Sequence, residues 1–146
     1  MKRVLMLGLA GLLAADVLGA RFAEREVIAP RGAWRMGRGE TLALPGKTVS
    51  DAAFDDSRWM PAVVPGTVLT TLVKNGALPD PYFGVNNRKE EKLIPDLNAG
   101  NRDYYTAWFR TSFDLPASYK GRTVWMRPEG VNYRSEIWLN GRLAAV

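Results

Sequence analysis

Residues 63–87 read VVPGTVLTTLVKNGALPDPYFGVNN, the pattern of a strand, a tight turn, one short helix and then a loop rich in proline and asparagine. The Thr67 hydroxyl can accept a hydrogen bond from a free backbone N–H in the first helical turn, and Asn75-Gly76 tolerates positive φ at the other end. One apolar stripe runs along the helix, formed by Val68, Leu69, Leu72 and Val73. The sequence therefore predicts a short helix that lies on a core.

The loop after this helix is stiff and aromatic. Two prolines flank Asp80 and fix φ on both sides of it, and Tyr82 and Phe83 follow directly. A pre-organised loop presents its rings and amides at little ordering cost, and planar rings beside amides suit a sugar. The alternative is that the two rings plug the edge of a β-sandwich while Asn86-Asn87 forms a turn.

The N-terminus, residues 1–20, has the pattern of a signal peptide. Lys2-Arg3 precedes an apolar run from Val4 to Ala15, and small residues follow. We expect export to the periplasm or the extracellular space, with an uncleaved N-terminal helix as the alternative. The run is too short to span a bilayer comfortably, so no stable membrane anchor is expected.

Length and charge bound the rest of the chain. With 146 residues and 47% hydrophobic content, the sequence allows one domain with a real core, at 21–146. Twenty basic residues against fifteen acidic ones give a net charge of +5, but the arginines are scattered instead of forming one run. Nucleic-acid binding is not expected, because a phosphate backbone requires a concentrated basic stripe.

Histidine and cysteine are both absent from the sequence. This excludes Ser-His and Cys-His nucleophiles, disulfides and the usual zinc and copper sites. Oxygen-only calcium coordination would fall to Asp55, Asp56 and Asp80, but no EF-hand spacing supports it and turn formation is favoured. No metal and no cofactor are expected.

Short strands with turn signals between them dominate the sequence. The predicted strands are Gly32–Met36, Leu42–Leu44, Tyr105–Phe113, Thr123–Arg127 and Asn132–Leu139. Asn140-Gly141 then predicts a hairpin whose second arm begins at Arg142. The pattern indicates an all-β, antiparallel jelly-roll β-sandwich with one short helix, incomplete at its C-terminus, with an all-β barrel as the alternative.

Catalytic carboxylates are not evident. A retaining glycosidase needs two of them about 5 to 5.5 Å apart, and Glu129 and Glu136 are candidates by residue type alone. Glu129 lies in a turn and Glu136 in a strand, so surface roles are favoured. The tryptophans could stack on pyranose faces, but core packing is the favoured role because β-sandwiches commonly bury them.

Several ordered motifs resemble one family. They are Trp59, Val64–Leu69, Leu72–Asn75, Pro79–Gly84, Arg102–Thr106 with Trp108-Phe109, Asn132-Tyr133 and Trp138–Gly141. Together they resemble the N-terminal sugar-binding domain of glycoside hydrolase family 2, in the branch of exo-β-D-glucosaminidases and endo-β-mannosidases acting on mannosylglycoproteins. The resemblance covers roughly Trp59 to Gly141.

The resemblance implies a galactose-binding-like jelly roll, followed in the family by immunoglobulin-like domains and a TIM barrel. The barrel holds two catalytic glutamates and acts by retention through a covalent glycosyl-enzyme, so no catalytic residue is expected in this chain. Family N-terminal domains lend a loop to the rim of the active site, and the matching position is Pro81–Asn86. The expected substrate contact is Asn86, with Asp80, Tyr82 and Asn87 behind it. The charged Lys89–Lys92 segment departs from the family pattern.

The sequence therefore predicts the N-terminal fragment of an exported retaining β-glycosidase, of exo-β-D-glucosaminidase or β-mannosidase type. Its carbohydrate substrate would be a β-glucosaminide or a β-mannoside, and its intramolecular partner the missing catalytic barrel. The alternative is a stand-alone carbohydrate-binding or structural β-sandwich module.

Overall fold

The computed structural model describes residues 33–96, 98, 100, 103–132 and 134–146. The predicted signal peptide at 1–20 lies outside the described residues. Within them the chain forms two units: one contains Leu115–Met126, and the other contains 33–114 together with Arg127–Val146. None of the described helices is long and apolar enough to cross a membrane.

The larger unit is built on a three-stranded antiparallel sheet in the order β2-β1-β3. The strands are β1 (Arg35–Gly37), β2 (Met60–Pro61) and β3 (Trp108–Arg110). Met36 of β1 pairs with Met60 on one side and with Phe109 on the other. The central strand therefore joins parts of the sequence that are far apart.

The second sheet is a hairpin of β4 (Ile137–Leu139) and β5 (Arg142–Ala145). Asn140 and Gly141 have φ of 46° and 78°, the positive values that a tight hairpin turn requires. The predicted hairpin is confirmed. Its register shifts between Ile137 and Trp138, which marks a β-bulge or a similar irregularity.

Two α-helices accompany the sheets in the described residues, where the sequence predicted one. The one-turn α1 (Gly46–Val49) was not predicted, and α2 (Val68–Lys74) is the predicted helix. The hairpin packs on α1, because the Trp138 indole contacts Gly46 and the Gly141 N–H donates to Ser50 Oγ at 2.9 Å. The one-turn helix therefore forms a base for the hairpin.

Both ends of α2 lie where the sequence predicted them. Thr67 Oγ1 accepts from the Thr70 N–H at 3.1 Å, and Gly76 takes a φ of 69° just past the helix. Leu72 is 1% exposed, whereas the other three members of the predicted stripe are half-buried. The buried Thr71 accepts from the Val63 N–H at 3.1 Å, which ties the helix to the segment after β2.

We expect Thr67→Ala to lower the free energy of unfolding by about 1 kcal/mol, because it removes the only side-chain acceptor of the α2 cap in the described chain. Urea denaturation followed by circular dichroism would measure the loss. Thr67→Ser keeps the hydroxyl and should retain most of the stability. Equal stabilities of the alanine and serine variants would contradict the capping role.

Most predicted strands are shorter in the structure than in the sequence pattern. Tyr105–Phe113 contributes only Trp108–Arg110, because β1, its partner in the ladder, has three residues. Of the described residues in 132–139, only Ile137–Leu139 forms a strand, and it pairs with β5. A strand extends only as far as its backbone groups find partners.

Two strand predictions are wrong. Leu42–Leu44 is not a strand, because Gly39–Ala43 forms a 3₁₀ helix after Gly39 turns the chain with a φ of 60°. Thr123–Arg127 forms no strand either, and Trp125 within it is 86% exposed. The alternating pattern there has no neighbouring strand to pair with in the described part of the chain.

Among the described residues, the buried apolar core is small and lies in the larger unit. Its members are Met36, Val49, Trp59 and Leu72. Phe54 packs edge-on against Trp59, with ring centroids 5.4 Å apart. The preferred interpretation of the tryptophans as core residues is thus confirmed for Trp59 and wrong for Trp125, which is 86% exposed.

Candidate functional site

The loop 79–87 leaves α2 and is organised by Asp80. Asp80 Oδ1 accepts from the Tyr82 N–H at 2.9 Å, which is an Asx turn. The backbone carbonyl of Asp80 accepts from the Phe83 N–H at 3.2 Å and from Asn86 Nδ2 at 2.9 Å. One residue therefore fixes both the start of the loop and its far side.

The two aromatic rings of this loop face solvent. Tyr82 is 95% exposed and Phe83 is 75% exposed, so neither plugs the edge of the sandwich. Gly84 follows with a φ of 57°, a value that glycine adopts without strain and that turns the chain directly after the rings. The loop thus presents an aromatic tip on a hydrogen-bonded base.

The predicted contact residues are only partly brought together. Asn86 is half-buried, and both its side-chain Nδ2 and its backbone N–H bond within the loop, to Asp80 and Phe83. Its side-chain oxygen accepts no hydrogen bond in the part of the chain that the structure describes. Asn87 is exposed next to it. Asp80 and Asn86 therefore first hold the loop in shape, and Tyr82 is the most accessible of the four.

The charged segment after the loop is a short 3₁₀ helix, Lys89–Glu91, ended by Lys92 in the left-handed region at a φ of 51°. Lys89 lies 3.8 Å from Asp96, and both side chains are exposed. Such an exposed pair contributes about 0 to 1 kcal/mol. The segment borders a depression of about 330 Å³ whose lining is partly polar and partly apolar.

The two candidate glutamates have surface roles. The Arg127 guanidinium hydrogen-bonds Glu129 and lowers the pKa of its carboxyl group. Glu136 Oε2 accepts from Trp138 Nε1 at 2.9 Å. Both side chains lie in solvent, and a carboxyl group with a lowered pKa is a poor proton donor at neutral pH.

The aspartates considered for calcium form turns or ion pairs instead. Asp55 Oδ1 accepts from the Ser57 N–H at 2.9 Å, and this backbone hydrogen bond is the main reason why the pKa of Asp55 is lowered. Asp56 pairs with Arg110 at 2.5 Å. Among the residues that the structure describes, no three acidic side chains cluster in a way that could hold a metal ion.

A second concavity, of about 320 Å³, was not predicted from the sequence. It lies beside β1, and Arg38, Arg58 and Trp59 are among its lining residues. No motif marks it, because its residues come from two segments that are far apart in the sequence and come together where β1 pairs with β2. Gly37 is the one lining residue whose type has an evident reason, because the absence of a side chain leaves room for the Trp59 ring.

Two relatives are similar to most of the chain. It is 39% identical over 111 residues to a mannosylglycoprotein endo-beta-mannosidase of Lilium longiflorum, which covers 74% of this chain and 11% of that protein. It is 29% identical over 101 residues to an exo-beta-D-glucosaminidase of Streptomyces avermitilis, which covers 69% of this chain and 10% of that protein. The chain thus spans about a tenth of the length of the relatives that it matches.

No solved structure matches the chain significantly. Residues 48–146 match the family model described as glycosyl hydrolase 2 galactose-binding domain-like, so the chain belongs to this family and has its galactose-binding-like β-sandwich fold, as predicted.

Proposed function

We propose that this chain is the N-terminal, non-catalytic part of a retaining β-glycosidase of the exo-β-D-glucosaminidase or β-mannosidase type, and that it contacts the carbohydrate substrate. The names of the two relatives and the small share of each that the chain covers support this proposal. The surface roles of Glu129 and Glu136 also support it, because Glu129 pairs with Arg127 and the Glu136 carboxylate accepts from the Trp138 indole. The O-glycosyl chemistry is then the task of a barrel outside this chain.

The observation that carries the substrate contact is the exposure of Tyr82 on a loop that is already hydrogen-bonded. A 95% exposed ring gains contact area when a sugar stacks on it. The Asp80 carbonyl and the Asn86 amide hold the loop, so little conformational entropy is lost on binding. We therefore rank Tyr82 first among the predicted contacts, followed by Asn86 and Asn87, with Asp80 as the residue that shapes the loop.

Two further parts of the proposal come from the sequence. Export to the periplasm or the extracellular space follows from the leader pattern at 1–20. Packing of this domain on the catalytic barrel would bring the loop 79–87 to the rim of the active site. The partner is therefore intramolecular, and the external ligand is a β-glucosaminide or β-mannoside.

The first experiment is to sequence the gene downstream of codon 146 and to express the whole product. An open frame of several hundred codons whose product hydrolyses aryl β-mannosides or β-glucosaminides supports the proposal. The 146-residue chain itself should give no turnover. A frame that ends shortly after codon 146 would overturn the proposal in favour of a stand-alone carbohydrate-binding or structural module.

The contact role of the loop is tested in the whole enzyme. We expect Tyr82→Ala to raise KM about tenfold, since loss of a stacked ring corresponds to about 1.4 kcal/mol of binding free energy. Trp125→Ala removes another exposed ring, outside the loop, and serves as the matched control. If both variants leave KM unchanged, or shift it equally, the loop does not contact the substrate.

A further inference from the structure

The sequence contains two Asn-Gly dipeptides, Asn75-Gly76 and Asn140-Gly141. An asparagine in this dipeptide is prone to lose its side-chain amide, because the following glycine has no side chain to shield its backbone nitrogen or to restrict the chain. The reacting groups are the same in both dipeptides, whereas their surroundings in the fold differ. A difference in their reactivity therefore comes from the structure.

Asn75-Gly76 is held firmly at the end of α2. Asn75 Nδ2 donates to the carbonyls of Pro61 and Thr71 at 2.9 and 2.8 Å. The Gly76 N–H, whose nitrogen would be the nucleophile, donates to the Val73 carbonyl at 3.0 Å. The side-chain amide and the backbone nitrogen would have to leave all three acceptors before they could react. The end of α2 therefore protects this dipeptide.

Asn140-Gly141 is held by fewer contacts. The Asn140 side chain is exposed, and it makes no hydrogen bond within the residues that the structure describes. The nucleophile would be the nitrogen of Gly141, whose N–H donates to Ser50 Oγ at 2.9 Å. The turn joins strands of three and four residues, and every residue of β5 is exposed. Short exposed elements open locally at a low free-energy cost, so this turn reaches the geometry of attack more often than the end of α2 does.

We propose that Asn140 is a site of spontaneous deamidation and that Ser50 restrains the reaction. The Gly141 nitrogen loses its proton to solvent and attacks Asn140 Cγ, the bond from Cγ to Nδ2 breaks, and ammonia leaves with a proton from solvent. Water then opens the resulting succinimide ring at either carbonyl carbon, which gives aspartate or isoaspartate. Water is the only co-reactant. The inference concerns a covalent modification and does not depend on the proposed function.

The products would weaken the attachment of the hairpin to α1. Both place a negative charge at residue 140, and isoaspartate also brings the side-chain Cβ into the backbone. A two-residue hairpin turn has a fixed backbone geometry, here with φ of 46° and 78°, and an added backbone atom disrupts it. The Gly141 N–H would then leave Ser50 Oγ. We therefore expect the hairpin to exchange its amide hydrogens faster after deamidation.

The test uses the whole gene product, incubated folded in neutral buffer, with the same protein unfolded in guanidinium chloride as the reference. Mass spectrometry after tryptic digestion follows peptide 135–142, which contains Asn140, and peptide 75–88, in which fragment ions identify Asn75. We expect Asn140 to deamidate at least about tenfold faster than Asn75 in the folded protein, and the two rates to converge in the unfolded one. Equal rates in the folded protein, or an unmodified Asn140 while the unfolded reference converts, would overturn the inference.

One variant tests the restraint by Ser50. Ser50→Ala removes the acceptor of the Gly141 N–H and should speed the conversion of Asn140 about threefold to tenfold, with Asn75 unchanged. Ser118→Ala removes an exposed hydroxyl outside the hairpin and should leave both rates as they are. Equal acceleration at Asn140 and Asn75 would indicate general destabilisation and contradict the restraint, as would a rate no faster than that of Ser118→Ala. Unchanged hydrogen exchange in the deamidated hairpin would contradict its loosening.

Discussion

Arg110→Met is expected to lower the free energy of unfolding by about 2 to 4 kcal/mol, because it leaves a partly buried carboxylate without its charge partner. Arg110 Nη1 lies 2.5 Å from Asp56 Oδ2, and the two side chains are 11% and 22% exposed. Its Nε and Nη2 donate to the carbonyls of Val49 and Asp51, each at 2.9 Å. One guanidinium group thus joins β3 to the last residue of α1 and to the segment after it, through three acceptors.

Urea denaturation at neutral pH measures this effect. Arg110→Lys keeps the charge but cannot reach three acceptors in different directions, so it should recover only part of the loss. Arg142→Met, at an exposed position in β5, is the matched control and should change stability by less than about 0.5 kcal/mol. A loss for Arg110→Met no larger than that of the control would show that the three contacts add nothing to the fold.

The features that the sequence predicted correctly depend on neighbouring residues. The cap at Thr67 and the turn at Asn140-Gly141 are decided within a few positions, so their residue types determine the outcome. Strand lengths are different, because the extent of Trp108–Arg110 depends on β1, more than seventy residues away in the chain. No local pattern contains that information.

The features of the candidate site likewise divide into local ones, which the sequence predicted, and tertiary ones, which it did not. The turn at Asp80 follows from an aspartate between two prolines, and the structure contains it. The exposure of Tyr82 and Phe83 did not follow, because composition alone favours rings packed against the sandwich edge. The role of Arg110 was also beyond the sequence, since its acceptors lie more than fifty positions away. Tertiary contacts decide such features.

Gly37→Ala is the other substitution for which we expect a large loss, about 3 kcal/mol of unfolding free energy. A Cβ at this position would lie 2.5 to 2.7 Å from three atoms of the Trp59 ring. The ring cannot easily yield, because Trp59 is 8% exposed and its other neighbours include Phe54. Either the Trp59 ring leaves its position in the core, or β1 moves away from β2 and β3. Both changes reduce the packing of the core residues and therefore lower stability.

Gly130→Ala is the matched control, because a Cβ there meets nothing within 4 Å and the residue has no positive φ. It should be neutral or slightly stabilising, by up to about 1 kcal/mol, since alanine restricts the unfolded chain. The double variant Gly37→Ala with Trp59→Phe adds a smaller ring and should be less destabilised than the sum of its two single changes. We infer that Gly37 is needed because the Trp59 ring packs closely on β1. Additive losses in this cycle, or wild-type stability of Gly37→Ala, would contradict this explanation. Gly37→Ala alone should also shift the NMR signal of the Trp59 indole N–H, because the added Cβ displaces the ring.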